Sequence, residues 1–294
     1  MTVLFVGTAN LDTTAEVTKL PAPGHTVVAR RSRTGAGGKS ANQAAAAGRL
    51  GAHVKLIAAV GDDADGRVLT DALRSAGVDT STVVRTTAAP TGSAFIAVGD
   101  DAENQIVVIA GANDELRPTD VSDHWPEDHH LIVSVAMEGP AAPIQTAVER
   151  AVSGGHRVVL NASPVTNDVV ALLAAADPVI VNEHEARELV NDPSAALDVV
   201  AAAVLELGAR SVVITAGSAG AVVAEHGQQI TKISGVRIAP VDTTGAGDAF
   251  AGALCAELDQ GASLVAGARF ACKVAAHSVQ HHGAQSSYPA RKDL

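Results

Sequence analysis

Residues 242–250, Asp-Thr-Thr-Gly-Ala-Gly-Asp-Ala-Phe, place two glycines and a carboxylate at the start of a predicted helix. The first N–H groups of a helix have no intrahelical partner, and the helix dipole adds partial positive charge there, so such a start binds anions. Asp248 would stand beside that site as a base. A glycine-rich N-cap with an acidic first turn is the ordinary alternative. The combination of groups favours phosphoryl transfer to a hydroxyl.

Polar residues also follow two apolar runs that are predicted to be buried strands. Asn10 and Asp12 come after the run at 3–6, and Glu138 follows the run at 131–135. Ligands of open α/β sheets bind at the carboxyl ends of the strands. Each residue alone is explained by a turn or a strand end. Together they favour a hydroxyl-rich ligand.

A glycine-rich segment at 35–40 resembles a phosphate-binding P-loop, but Arg33 stands where that motif requires glycine. It is therefore either a tight turn before a helix or a loop against which a small polyol lies, with Lys39 and Asn42 as donors. The glycine fingerprint of dinucleotide-binding folds does not follow the first strand, which argues against a nicotinamide cofactor.

Two further segments follow predicted strands. The carboxylates of Glu183 and Glu185 complement the dipole at a helix start, and a carboxylate there can also hold Mg²⁺ through water. His184 lacks the spacing of a zinc site. The small residues of 215–220 form either a tight connection or a site for nucleotide phosphates.

Composition bounds the remaining possibilities. The chain has 294 residues and a net charge of −11, which argues against nucleic acid or an anionic membrane as the main partner. Hydrophobic residues make up 47% and aromatic residues 2%, so the core is built from Ala, Val, Leu and Ile. Cys255 and Cys272 form no CxxC pair, and neither a signal peptide nor a membrane-spanning run is apparent. We expect a soluble cytoplasmic protein.

Apolar runs rich in β-branched residues alternate with Ala/Leu-rich helical patterns. Continuous apolar strands indicate a sheet covered on both faces, so we predict a three-layer αβα sandwich with a mostly parallel central sheet. The predicted strands are 3–6, 54–60, 131–135, 158–161, 179–181 and 212–215. The predicted helices are 42–50, 67–75, 142–152, 183–190, 195–207, 246–258 and 264–277.

Two segments break this alternation. Residues 13–34 and 91–110 are predicted to be extended, and the second is predicted to be a hairpin around residues 99–101. We predict that they form a small antiparallel sheet that projects from a single domain, 1–294, as a discontinuous lid.

The chain resembles the ribokinase family of carbohydrate kinases over residues 3–289. The resemblance rests on Gly-Gly-Lys-Ser-Ala-Asn-Gln at 37–43 and Asp-Thr-Thr-Gly-Ala-Gly-Asp at 242–248, in the family's order and separation. Shorter similarities lie at 21–24, 111–113, 161–164, 182–185 and 283–285. Ser40 stands where these kinases commonly have glycine, and His281 stands where a basic residue is often seen.

The resemblance implies a role for each matching position. Asp248 corresponds to the catalytic base, and the amides of Gly245, Ala246 and Gly247 correspond to the anion hole. Ribose-binding positions correspond to Asn10, Asp12, Gly38, Lys39, Asn42 and Glu138. Nucleotide-binding positions correspond to Asn182, Thr215, Gly217, Ser218, Gly220 and Gly247. Glu185 corresponds to the residue that organises Mg²⁺, through water. Positions around a monovalent-cation site correspond to Asp242, Thr244, Ser278, His281, Gly283 and Ser287.

The resemblance further implies ATP, Mg²⁺ and K⁺ as cofactors and a homodimer formed through the lid. It implies transfer from ATP to the 5-hydroxyl of D-ribose. Another small sugar, such as 2-deoxyribose or fructose, a sugar acid or a nucleoside is the alternative within this class of enzyme. A sugar-binding regulator without catalysis is the alternative from another class.

Overall fold

The buried apolar runs form a nine-stranded sheet in the computed structural model, which describes residues 2–101 and 103–294. The strands are β1 (Thr2–Val6), β2 (Asn10–Glu16), β3 (Arg31–Gly37), β4 (Val54–Ile57), β5 (Ala59–Gly61), β6 (Val78–Asp79), β7 (Val84–Thr86), β8 (Ser93–Val98), β9 (Asn104–Ile109), β10 (Leu131–Ala136), β11 (Arg157–Asn161), β12 (Ala176–Asn182), β13 (Ser211–Thr215), β14 (Gly220–Glu225) and β15 (Thr231–Ser234). The helices are α1 (Lys39–Arg49), α2 (Ala64–Ser75), α3 (Pro118–Asp123), α4 (Ala141–Ser153), α5 (Asn167–Leu172), α6 (Glu183–Leu189), α7 (Leu197–Glu206), α8 (Ala246–Asp259) and α9 (Leu264–Ser278).

The large sheet has the strand order β15-β14-β13-β12-β11-β10-β1-β4-β6. Neighbouring strands from β13 to β6 are parallel, and β14 and β15 extend the sheet with antiparallel pairs. Parallel strands end at the same edge, so the loops after β1, β10, β12 and β13 lie side by side. The predicted mostly parallel core is confirmed, although β6, β14 and β15 were not predicted.

Side chains that alternate along β1 divide the core into two layers. Val3 and Phe5 pack towards α1, α8 and α9, whereas Leu4 and Val6 pack towards α4 and α7. All four side chains are fully buried, and burial of apolar surface on both faces is what the continuous hydrophobic strands required. The predicted three-layer αβα sandwich is therefore confirmed.

A second sheet has the order β3-β2-β8-β9. The prediction of an all-antiparallel sheet is wrong, because β2 and β8 pair in parallel while the two outer pairs are antiparallel. The predicted segment 13–34 is also not continuously extended, since residues 17–30 connect β2 to β3 without strand structure. Residue 102, within the predicted segment 91–110, lies outside the described residues, as does residue 1.

The predicted strand 54–60 is divided in the structure. Residues 54–57 pair with β1 as part of the large sheet, whereas β5 leaves that sheet and pairs with β7. The apolar run continues because both pieces are buried, so hydrophobicity alone does not mark the break. Within residues 2–101 and 103–294, no helix combines the length and apolar character needed to cross a bilayer.

Candidate active site

Helix α8 begins with its first amide groups directed into a cavity. Gly245 is its N-cap and has a left-handed backbone with φ of +72°, a conformation that favours glycine. A Cβ at Gly245 would also collide with the Tyr288 hydroxyl, which donates a hydrogen bond to the Gly245 carbonyl at 3.1 Å. Glycine therefore allows the tight turn that starts the helix.

Two amides remain for an anion at this helix start. The first intrahelical bond joins Ala249 N to Gly245 O at 2.8 Å, so the N–H groups of Gly247 and Asp248 precede the helical ladder. The amide of Ala246 already donates to Thr243 O at 3.2 Å. Among the described residues no side chain caps the helix. An anion hole at this point would thus rest on Gly247 and Asp248 more than on the predicted Ala246.

The Asp248 carboxylate is buried, with 8% of the residue exposed, and it accepts two side-chain hydrogen bonds. Asn42 Nδ2 donates to one oxygen at 2.9 Å and Gln43 Nε2 to the other at 3.2 Å. Burial raises the pKa of Asp248 above its ordinary value. The charge of Lys39 and the two hydrogen bonds counteract that rise only in part. A raised pKa makes the carboxylate a stronger proton acceptor than an exposed one.

The predicted sugar-binding residues gather at the carboxyl edge of the sheet. Glu138, after β10, accepts hydrogen bonds from the Thr8 hydroxyl and, at 3.0 Å, from the backbone N–H of Lys39 at the start of α1. Gly38 is the N-cap of α1. The Asn10 side chain is 5% exposed, and its oxygen accepts a bond of 2.7 Å from Asn113. Neighbouring loops thus fix these polar groups in place.

One oxygen of the Asp12 carboxylate is not hydrogen-bonded to any described residue. Its Oδ1 atom is buried and has no partner among residues 2–101 and 103–294. Burial raises the pKa of Asp12 to about 6; a backbone hydrogen bond from Ala94 opposes that rise, and the nearby Glu138 charge adds to it. A buried polar atom without a partner is costly. Asp12 is therefore a group that a ligand with hydroxyl donors would satisfy.

The start of α8 and the Asp248 carboxylate share a cavity of about 180 Å³ with residues that follow β11, β12 and β13. Asn182 and Glu185 cap α6 reciprocally, each side chain accepting a bond of 2.9 Å from the other's backbone N–H. Gly217, Ser218 and Gly220 form the next turn and do not line this cavity. The lining polar and small residues are Lys39, Asn161, Ser163, Asn182, Glu185, Thr215, Thr243, Gly245, Ala246, Gly247 and Asp248.

A larger groove of about 480 Å³ lies between α4 and α5. Its walls combine apolar side chains with charged ones such as Glu149, Asp168 and Arg210, and it contains none of the predicted site residues. The smaller cavity is the better candidate for chemistry because it holds the buried Asp248 carboxylate and the free amides of α8 together.

Two of the predicted monovalent-cation residues, Thr244 and Gly283, contact Asp242. Its two oxygens accept bonds of 2.9 and 2.8 Å from the N–H groups of Thr244 and Gly283. Burial raises the pKa of Asp242, but these bonds and the Arg33 charge outweigh it and lower the pKa overall. Both Asp242 oxygens thus already accept backbone N–H groups, and Asp242 is the one carboxylate in the predicted cation set.

Ser278, Ser287 and His281, which belong to the same predicted set, have other partners. The Ser278 and Ser287 hydroxyls donate within their own turns to Ala275 O and Ala284 O. His281 stacks on His277 with ring centroids 5.0 Å apart. The imidazole within 4 Å of Asp242 is that of His282, whose Nδ1 lies 3.8 Å from Oδ2. The described residues contain no group of three or more His, Cys, Asp or Glu side chains arranged for a metal.

Several residues of the site were given no role from the sequence. Gln43 lies inside the first motif and contacts Asp248, whereas Gln285 contacts Asn42 from the far end of the chain. Asn113 holds Asn10, and Thr8 holds Glu138. Three of them, Gln43, Asn113 and Gln285, occur in the segments that carry the family resemblance, which was the only signal that marked them.

The Oδ1 atom of Asp12, which has no partner among the described residues, leads to a prediction about stability and pH. Its folded-state pKa lies above the unfolded value, so its ionisation costs stability above pH 6 and the cost vanishes as pH falls below about 4. We expect Asp12→Asn to raise the free energy of unfolding at pH 8 by roughly 1–3 kcal/mol, with the gain shrinking towards pH 4.5. Urea unfolding at several pH values measures this difference.

Asp63→Asn is the control of opposite sign. Partial burial raises the pKa of Asp63, but hydrogen bonds from Thr91 and Gly66 outweigh burial, so the pKa lies below its ordinary value. Its loss should therefore destabilise the protein at neutral pH, and the penalty should shrink in acid. An Asp12→Asn effect that stays constant with pH would contradict the interpretation of Asp12.

Known carbohydrate kinases are similar to this chain over almost its whole length. The profile of the pfkB family of carbohydrate kinases matches residues 2–291. Ribokinase of Haemophilus influenzae is 34% identical over 99% of this chain and 96% of its own length. Deoxyribokinase of Salmonella typhi is 32% identical over 98% of this chain and 96% of its own length. The structure of Arabidopsis thaliana ribokinase, solved with ribose and ATP, superposes with a TM-score of 0.90 at 30% identity. The superposition covers 99% of this chain and 96% of the ribokinase chain. This chain belongs to the pfkB family of carbohydrate kinases.

Proposed function

We propose that this kinase transfers the γ-phosphoryl group of ATP to the primary 5-hydroxyl of D-ribose, giving D-ribose 5-phosphate and ADP. The observation that carries the proposal is the buried Asp248 carboxylate at the free amide end of α8, beside the polar residues of the sheet edge. Several relatives at about one-third identity are named ribokinase, and one neighbour binds ribose and ATP together.

The sugar is held by polar groups that already have fixed directions. Asp12 offers a free carboxylate oxygen and Glu138 offers a carboxylate anchored by Thr8 and Lys39 N, so both accept sugar hydroxyls. The Asn10 amide and the Lys39 ammonium supply donors, with Asn42 next to the base. The backbone of Gly38 lies between them at the start of α1.

Proton transfer and phosphoryl transfer occur at neighbouring atoms. Asp248 takes the proton of the 5-hydroxyl, the hydroxyl oxygen bonds to the γ-phosphorus, and the bond from that phosphorus to the β,γ-bridging oxygen breaks, so ADP leaves. The N–H groups at the start of α8, including Gly247, stabilise the negative charge on the transferring group. Burial of the carboxylate keeps it basic and keeps competing water away.

The remaining ligands follow the loops of the sheet edge. Asn182 and Thr215, with the turn of Gly217, Ser218 and Gly220, lie on the side where ATP would extend. Glu185 would hold Mg²⁺ through water, which suits an ion that keeps several waters and binds substrate phosphates; when bound, Mg²⁺ neutralises phosphate charge. Asp242 and its neighbours, Thr244, Ser278, His281, Gly283 and Ser287, would hold K⁺ beside the anion hole. The sheet of β2, β3, β8 and β9 would close over the sugar as a lid.

Cysteine chemistry supports a cytoplasmic location for this enzyme. Cys255 and Cys272 are both buried and unpaired, and burial raises the pKa of each thiol, to about 12 and about 11. Such thiols are unreactive core residues that suit a reducing compartment.

The choice of sugar is tested by ADP release with Mg·ATP and K⁺ across D-ribose, 2-deoxyribose, fructose, xylose and nucleosides. We expect a clear preference for D-ribose. A preference for 2-deoxyribose, which the similarity to a deoxyribokinase makes the leading alternative, would reassign the substrate within this family. Sugar binding without any turnover would indicate a non-catalytic regulator.

Asp248→Asn tests the base. The amide cannot accept the hydroxyl proton as a carboxylate does, so turnover should fall by at least about 10²–10⁴-fold while ribose affinity is retained. Steady-state kinetics and calorimetric titration with ribose measure the two effects. A variant that keeps most of its turnover would remove Asp248 from the proposed role.

We also propose a homodimer formed through the lid. Phe95 of β8 and Val107 of β9 are a cross-strand pair, and 53% and 61% of their surfaces are exposed. Neighbouring side chains extend this apolar strip along β9, and an exposed strip on an edge strand is a site for association. Phe95→Glu should shift a dimer to a monomer in sedimentation velocity, whereas Val170→Glu on α5 should not. A monomeric wild-type protein at micromolar concentration would refute the dimer.

A further inference from the structure

The two amides that contact Asp248 could each present either end to it, because a side-chain amide has a donor end and an acceptor end. Only the NH₂ end stabilises an ionised carboxylate. What decides the orientation is the group that binds the other end of each amide. In this protein both of those groups are present and buried.

The first amide is oriented from β10. The Ser134 hydroxyl, which is fully buried, donates to Gln43 Oε1 at 3.3 Å. Behind it, the Cys255 thiol is hydrogen-bonded to Ser134, and burial raises the pKa of that thiol to about 12, so it keeps its proton. With its oxygen occupied by Ser134, Gln43 presents its NH₂ group to Asp248.

The second amide is oriented from the C-terminal segment. Gln285 is 7% exposed, and its Nε2 donates to Asn42 Oδ1 at 3.1 Å. This bond occupies the oxygen of Asn42 and turns its NH₂ group towards Asp248. The carboxylate therefore receives one N–H donor on each oxygen, 3.2 and 2.9 Å away.

We propose that Gln43 and Gln285 are positioning residues that hold Asp248 ionised and in one orientation for proton abstraction. Gln43 acts directly on the carboxylate, and Gln285 acts through Asn42. Their role in turnover rests on the phosphoryl transfer proposed above, whereas their effect on the ionisation of Asp248 does not. The four residues Ser134, Gln43, Asn42 and Gln285 are called the amide clamp below.

Other ionisable groups face the same carboxylate. The positive charge of Lys39 on α1 favours its ionised form, and the negative charge of Glu138 after β10 opposes it. Tyr288, in the C-terminal segment, stays neutral because burial and the charge of Asp248 raise the pKa of its phenol well above 10. Loss of one clamp donor would leave only Lys39 and the other amide to offset burial and the charge of Glu138, so the pKa of Asp248 would rise further.

The test compares Gln43→Met and Gln285→Met with the wild-type chain. Methionine approximates the volume of glutamine and removes the hydrogen bonds. Carbon NMR of protein labelled at the aspartate carboxyl carbon, with Asp248→Asn to assign the resonance, reports the titration midpoint of Asp248. We expect an upward shift of about 1 pH unit in Gln43→Met and a smaller upward shift in Gln285→Met.

Kinetics provide the second readout. In the profile of kcat against pH with ribose, the acidic limb should move to higher pH together with the NMR midpoint. The KM for ATP should stay within about twofold of the wild-type value. Thr82→Val is the control, because it removes a buried hydroxyl that donates to Leu56 O at 2.8 Å, away from the site. Thr82→Val should leave both the titration midpoint of Asp248 and the pH profile of kcat unchanged.

The outcomes separate the two proposals. A lower kcat with an unmoved Asp248 midpoint in both variants would mean a merely structural role and would overturn the clamp. Gln285→Met decides the matter if Gln43→Met does not fold. A wild-type protein that is inactive on ribose but whose midpoint shifts in the variants would support the clamp's effect on ionisation and refute the ribose kinase proposal.

Discussion

The burial of one carboxylate at the start of a helix governs the arrangement of this protein. Asp248 is removed from water at the N-terminus of α8, and an ionised group in that position must be compensated by nearby donors. Those donors come from α1, so the two helices must lie in close contact. Gly252 makes that contact possible, because a Cβ there would collide with the backbone oxygen of Gln43. The small residues of both helices thus serve the site as well as the core.

The sheet supplies the other half of the site. Because seven neighbouring strands are parallel, their loops meet at one edge and bring polar side chains from distant parts of the chain beside α8. Some of these groups are held without a complete set of partners, and Asp12 is the clearest case. A buried Oδ1 atom without a partner lowers stability, and under the proposed function this same atom accepts a sugar hydroxyl. Stability and binding are therefore opposed at the same residue.

The sequence allowed the central layers to be predicted because continuous apolar runs and helical periodicity reflect burial, which is a local property of each segment. It also placed Asp248 at a helix start. The break between β4 and β5 and the parallel pairing of β2 with β8 could not be predicted in this way, since both depend on which strand lies alongside. The bond between Asn42 and Asp248 joins residues 206 apart. Such contacts between side chains leave no periodic signal, so Gln43 and Gln285 were marked only by the motifs around them.

In the proposed mechanism, the reacting hydroxyl lies between the Asp248 carboxylate and the free amides of α8. The most direct measurement is a crystal structure of the protein with D-ribose, Mg²⁺ and a non-hydrolysable ATP analogue. We expect the ribose 5-oxygen within about 2.6–3.2 Å of an Asp248 oxygen, with the terminal phosphate facing the N–H of Gly247. A ribose bound elsewhere, or turned so that another group approaches its 5-hydroxyl, would contradict it.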